Sequence, residues 1–500
     1  MLDQPTALHL ARRLSFGPGP GEIERVASAG FDGYIEGQLN ADPSKLPEQI
    51  QAQLRSLPSF GLDTTTLYRK YWFKALAQMT PGQKVPHEQK KLLKKITNEV
   101  GPEARMARLI RAISSPHRLH EALVDFWFNH FNVFDNKKFV RVWVGAYEAE
   151  AVRPYVLGKF RDLLLATAKH PAMLVYLDNW QNVAPGTHGN GKKAAAGINE
   201  NYAREVMELH TLGVDGGYTQ SDVTALAHIL TGWTVGRQFG AAGGMDGSDD
   251  DLRASLGGFA FVPRRHDDAP QTVLGRKFGN GGMKDGEAAL LMLAEHPSTA
   301  RHISTQLAQY FVADRPSAQL IADMTSVFRK TDGDLKAVVR TMLTSKDFRD
   351  PANFGAKFKT PYQYIISVAR VARLDPMNAA PLAEELKVLG QPIYGCLSPD
   401  GYACTETAWL DPDAMMRRIS FAIKFGTGAY MQPHLARAGY GSMKKPVQLE
   451  LPAGNAPLNA DRLLAVLGPE LSSKTRSAVT AAKSTERAGL ILGSPEFMRC

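Results

Sequence analysis

The sequence predicts a mainly α fold: a multi-helix globular protein with at most one small β-hairpin, near residues 231–262. Apolar residues recur at three- and four-residue spacing through most of the chain. Helix start signals stand ahead of several of these runs. Strand-like alternation is scarce.

In chain order, helical periodicity covers 5–13, 20–29, 63–80, 102–114, 117–131, 154–168, 283–294, 297–312 and 316–329. It resumes at 333–344, 360–373, 411–425, 459–467 and 484–492. Pro20 ahead of Glu22 and Glu24, Ser115-Pro116 and Pro316-Ser317 mark starts. The strand candidates are Thr231–Val235 and Phe259–Val262, on either side of a Gly- and Asp-rich loop, Gly240–Gly258. The runs ending at Arg349 and Arg499 echo one another, each a helix end restarted by a serine cap. The implied organisation is an N-terminal helical region over 1–180, a central polar region with irregular loops over 181–280, and a helical region over 281–430. A linker-like connection over 431–457 and C-terminal helices over 458–500, packing back on the core, complete it; one continuous domain is the alternative.

With 500 residues, 44% hydrophobic and 22% charged, the chain has the composition of an ordinary globular protein that needs no disulfide or metal merely to fold. No run reaches the roughly 18 apolar residues of a membrane helix. The first residues, Met1–Pro5, lack a basic stretch followed by an apolar core, so the chain reads as cytoplasmic, with periplasmic co-export with a partner as the alternative. Cys396, Cys404 and Cys500 make no zinc pattern. Cys396 and Cys404 flank a Ser-Pro-Asp-Gly turn and are read as free thiols or, alternatively, a disulfide.

The net charge is +9. An excess of six sits between Lys84 and Arg118, where Lys84, Lys90, Lys91, Lys94 and Lys95 precede Arg105, Arg108, Arg111 and Arg118. This is read first as a solvated helix face and second as a dock for an acidic surface. No nucleic-acid module accompanies it.

The densest polar stretch is Asn199–Gly213. At 100° per residue, Asn201, Glu205 and Glu208 fall within about 60° of one another. Held in a cleft, two such glutamates split their pKa values and supply an acid and a base. On a solvated face they would be neutralised in part by Arg204. His210 falls on the opposite side and is read as a core histidine. In Asp125–Val133, His130 continues the apolar stripe of Leu119, Leu123 and Phe126, so it bonds a buried carbonyl or lines a cleft. His266 and Asp267 lie in an irregular loop and have acid/base chemistry. Gly186–Lys193 imitates a phosphate loop but lacks its Ser/Thr, and Asp246–Asp251 lacks the spacing of a calcium loop.

Leu8–Gly17, Asp125–Val133, Tyr176–Asn179, Asn199–Gly213 with Gly217–Thr219, and Thr231–Trp233 together resemble the bacterial DUF1800 family. So do His266-Asp267 with Thr272–Gly275, Pro399–Tyr402 with Trp409-Leu410, and Ser494–Phe497. Gln271 departs from the family's lysine. The resemblance implies a helical fold and one site built from the three polar stretches. It also implies a partner of the DUF1501 type, which resembles alkaline-phosphatase-like or sulfatase-like enzymes, but it carries over no catalytic residue.

The resulting expectation is a hydrolase or transferase acting on a polar polymer, a saccharide in first place, with Glu205 and Glu208 as acid and base. His130, His266 and Asp267 are candidate catalytic partners. Asn201, Arg204 and Asn132 are candidate substrate contacts, and Trp127 and Trp233 candidate stacking surfaces. Glutamates at i and i+3 lie closer than the roughly 6.5–9.5 Å an inverting glycosidase uses. The alternatives are a metal-dependent enzyme with Glu/His ligands, otherwise without cofactor, and a non-catalytic partner of a DUF1501-type enzyme. Neither nucleic acid nor a membrane is expected as a partner.

Overall fold

The computed structural model describes residues 1–19, 21–73, 87–187, 197–236, 256–430, 458–467 and 471–500. The chain is mainly helical. The helices that build the site begin with α1 (Gln4–Arg13), whose cap Asp3 accepts from the Thr6 amide, and α2 (His87–Ser114). Next come α3 (Arg118–His130) and α4 (Val140–Ala146), which runs on into a π turn over Tyr147–Val152. After α5 (Phe160–Lys169), α6 (Asn201–Glu205) also runs into a π turn, Val206–Thr211. A reciprocal capping box at Thr219 and Asp222 opens α7 (Gln220–Ile229).

The expected hairpin is present: β1 (Trp233–Val235) pairs antiparallel with β2 (Phe259–Phe261), Trp233 opposite Phe261. A second hairpin corrects the limit of one. β3 (Gln271–Val273) pairs with β4 (Arg276–Phe278) across Leu274-Gly275, both at positive φ. Leucine at such a position is no sequence signal for a turn.

The second half follows the periodicity closely. It contains α8 (Met283–Glu295), α9 (Pro297–Phe311), α10 (Pro361–Val371), α11 (Pro412–Gly426) and α12 (Ser484–Leu492). Ser345 and Ser494 both cap restarted turns, accepting from the amides of Phe348 and Phe497. Helices α11 and α12 touch backbone to backbone, since a Cβ on Gly426 would lie 2.4 Å from the Gly489 amide nitrogen. The last residues pair with 357–359, Cys500 and Lys357 exchanging both backbone bonds. One hydrophobic cluster runs from Ala7 to Met498. Among the described residues no helix is long and apolar enough to cross a membrane. The expected linker 431–457, the acidic stretch 246–251 and most of the phosphate-loop imitation lie outside the described residues.

Candidate functional site

The polar stretch begins where the Asn199 side chain accepts from the Asn201 amide at 3.1 Å. The α turn then widens: the Leu212 amide donates to the Met207 carbonyl at 2.9 Å, an i to i+5 bond, and Gly213 closes the turn at φ +83°. Tyr202, Val206, Met207 and His210 face the core, Glu205 and Glu208 are half-buried, and Asn201 is exposed. Arg204 spends its hydrogen bonds elsewhere, on Glu200 at 3.0 Å and Gln220 at 2.9 Å. Glu208 accepts from the Tyr218 hydroxyl at 3.2 Å. Glu205 has no hydrogen bond or ion pair among the described residues. Partial burial, then the charges of Glu208 and Asp400, raise its pKa against the pull of Arg204.

Asp400 belongs to a loop that α3 holds in place. The Asn129 side chain donates to the Tyr402 carbonyl and accepts from the Tyr402 amide, both at 2.8 Å. Asn132 donates to the carbonyls of Cys396 (3.1 Å) and Ser398 (2.8 Å), and the Tyr176 hydroxyl to that of Leu397 (2.8 Å). Gly401 lets the loop close in, because a Cβ there would lie 2.3 Å from the Asn129 carbonyl oxygen. Asn132 is therefore a positioning residue, 2% exposed, and not the substrate contact expected of it. The two tryptophans are corrected likewise. Trp127 and Trp233 are 0% exposed. Trp127 is ringed by Phe126, His130, Phe131 and Phe160, and Trp233 packs on Phe259 and Gly286. Burying the largest apolar side chain outweighs leaving it as a stacking surface.

The histidines make their hydrogen bonds with groups other than the two glutamates. His130 bridges the Gln306 side chain (2.9 Å) and the His210 carbonyl (3.1 Å), with the rings of His210 and His302 about 6 Å away. Burial, then His302, lowers its pKa to about 4, so it is a neutral core histidine at pH 7. His266 bonds the Thr231 carbonyl at 2.9 Å. Asp267 turns instead to His228, its oxygen 2.5 Å from Nδ1, while its amide donates to the Thr231 hydroxyl. His228 was not singled out in the sequence; its only signal is its place one turn before Thr231–Trp233. No described hydrogen bond, ion pair or ring contact joins Glu205 or Glu208 to His130, His266 or Asp267. Among the described residues no three His, Cys, Asp or Glu side chains are grouped to hold a metal ion. Cys396, Cys404 and Cys500 are free.

A second polar cluster lies beneath the loop. Arg108 joins Asp125 (2.6 Å) and Glu148 (3.0 Å), and Arg153 joins Glu148 (2.7 Å) and Glu121 (2.9 Å). The hydroxyls of Tyr394 and Tyr310 donate to Glu148 and Asp125. This corrects the reading of Arg105, Arg108 and Arg111 as a solvated face. Arg105 pairs with Asp135 at 2.8 Å, Arg108 is 6% exposed, and Arg111 turns inward. For Arg105 and Arg108, partners 17 to 40 residues downstream decide this, and helical spacing cannot show them. Of the lysine face, Lys91 is exposed; Lys84 and the side chains of Lys90, Lys94 and Lys95 lie outside the described residues.

A family model described as "Protein of unknown function (DUF1800)" matches residues 9–499. No curated protein and no solved structure matches the chain.

Proposed function

The chain belongs to the DUF1800 family, and from that premise we propose that it is a hydrolase or transferase working by carboxylate acid/base chemistry on a polar substrate, a saccharide in first place. The observation that carries the reading is Glu205. It is a half-buried carboxylate without a hydrogen-bond donor among the described residues, set beside two other carboxylates, with its proton held more tightly than usual. Glu205 is the general acid and Glu208, oriented by Tyr218, the base. The π turn rotates Glu208 away from the place an α-helix would give it, which eases the crowding of an i, i+3 pair. Asp400, delivered by the loop pinned to Asn129 and Asn132, keeps the Glu205 proton in place. The aromatic surface beside the carboxylates is Tyr218. His130, His266 and Asp267 have no part in the step.

The test is turnover of a glycan found by screening. Glu205→Gln and Glu208→Gln should each lower kcat at least about a hundredfold, within the usual weight of a general acid or base, while leaving the fold intact. Full activity in both variants, or unfolding of both, overturns the proposal.

A further inference from the structure

Away from the carboxylates lies a cavity of about 290 Å³ between α2, the π turn after α4 and the segment Ser59–Leu67. The apolar part of its lining is Phe60, Leu62, Leu67, Val100, Ala107 and Val142, beside the carboxylates of Asp63, Glu103, Glu148 and Glu150. Into it faces Arg111. The guanidinium stands over the Phe60 ring at 5.1 Å and makes no hydrogen bond or ion pair among the described residues. The neighbouring Arg105, Arg108 and Arg153, by contrast, are all paired with carboxylates. A half-buried guanidinium with five donors and no acceptor carries a desolvation cost that a bound anion would remove.

The carboxylates lining the same cavity are already engaged. Glu103 accepts from the Ser59 amide at 2.7 Å and from its hydroxyl. Glu148 is held by Arg108, Arg153 and Tyr394. Glu150 accepts from the amide and hydroxyl of Thr64 and stands 3.7 Å from His170. Asp63 caps the turn at Thr66. None of them hydrogen-bonds Arg111; the charges of Glu148 and of Glu121 reach it without a direct pair, and the exposed Asp63 and Glu150 stand where solvent screens them.

We propose that this cavity binds a small amphipathic monocarboxylate, its carboxylate gripped by the Arg111 fork and its apolar body laid against Phe60, Leu62, Leu67 and Val100. Arginine on an aromatic face keeps its in-plane donors free for two parallel bonds to a carboxylate. The volume admits about ten water-sized groups, hence a body of about eight to ten carbons. The acidic rim selects against polyanions such as phosphoesters. The inference shares no residue with the Glu205 cluster and stands independently of the proposed activity.

Calorimetric titration of the full chain with 4-phenylbutyrate and octanoate, each beside its matched alcohol, tests it. Both carboxylates should bind saturably and at least about tenfold more tightly than the alcohols, as expected for a charge-assisted pair. Arg111→Met should abolish that preference and leave alcohol binding unchanged, and Arg111→Lys should keep only part of it. Ala149→Trp, at the exposed edge of the cavity, should weaken acids and alcohols alike without touching Arg111. Equal affinity for acid and alcohol, unchanged acid binding in Arg111→Met, or no saturable binding of either acid overturns the proposal. Failure of Arg111→Met to fold while Ala149→Trp binds normally also overturns it, making Arg111 structural.

Discussion

Glu148 and Glu208 occupy the same kind of position, on a widened π turn at the end of an α-helix, yet their surroundings are opposite. Glu148 is 3% exposed and sits between two arginines and a tyrosine. Burial pushes its pKa up, but Arg153 and Arg108 outweigh that, and the proton affinity is lowered. Beside Glu208, Glu205 is half-exposed, has carboxylates for neighbours, and its proton affinity is raised. A cluster whose charges are matched and buried holds helices together. A cluster left with surplus like charge at the surface gains nothing for the fold, and that is what makes it a candidate for chemistry.

The most severe way to break the contrast is Glu148→Gln. It leaves Arg108 and Arg153 buried and short of charge, and should cost about 3–5 kcal/mol, the usual penalty for breaking a buried pair from one side. Urea denaturation should show a lower midpoint with an unchanged slope. A loss no larger than that of a surface variant would mean the network is solvated.

Acid sharpens the contrast through a buried group that has no compensating charge. His130 is neutral in the fold, its pKa lowered to about 4, against about 6.5 when unfolded. Its contribution is complete above pH 6.5. Between 6.5 and 4 the unfolded chain binds the extra proton, so stability falls with pH, by about 3 kcal/mol once below 4. His130→Gln, which can still bond Gln306, should flatten that part of the stability profile. An unchanged profile would assign the acid loss to the carboxylates instead.

The sequence revealed the scaffold better than the site, for physical reasons. Helices such as α8, α9 and α12 lie where three- and four-residue spacing puts them, because each buries one stripe on a common core. Asn199–Gly213 was visible as a polar concentration, but 100° per residue presumes an α-helix, and the π turn is set by packing rather than pattern. The inward arginines were illegible because an arginine facing solvent and one facing Glu148 have the same spacing. His228 was missed because its partner Asp267 is 39 residues away. The tryptophans were misplaced because an aromatic residue serves a core as readily as a sugar.

The loop that brings Asp400 to Glu205 can be loosened separately. Gly401 has φ +73°, and an added Cβ would meet the Asn129 carbonyl oxygen. Gly401→Ala should cost about 2 kcal/mol. It should also speed thiol labelling of Cys396, which the loop buries, by about tenfold through local opening. Labelling at the parental rate would show that the loop does not depend on this close approach.

The smallest effect on stability is the most telling. Glu205→Gln removes one of three neighbouring negative charges, breaks no hydrogen bond or ion pair among the described residues, and keeps the side chain's shape. It should leave the protein unchanged or more stable by a few tenths of a kcal/mol, the scale of a like-charge pair on a helix surface. The same substitution should remove turnover. A gain in stability with a loss of activity is the signature of a residue retained against the interest of the fold, and Glu148→Gln cannot produce it. Should Glu205→Gln destabilise the chain by several kcal/mol, then Glu205 belongs with Glu148 as a structural carboxylate, and the acid/base proposal falls with it.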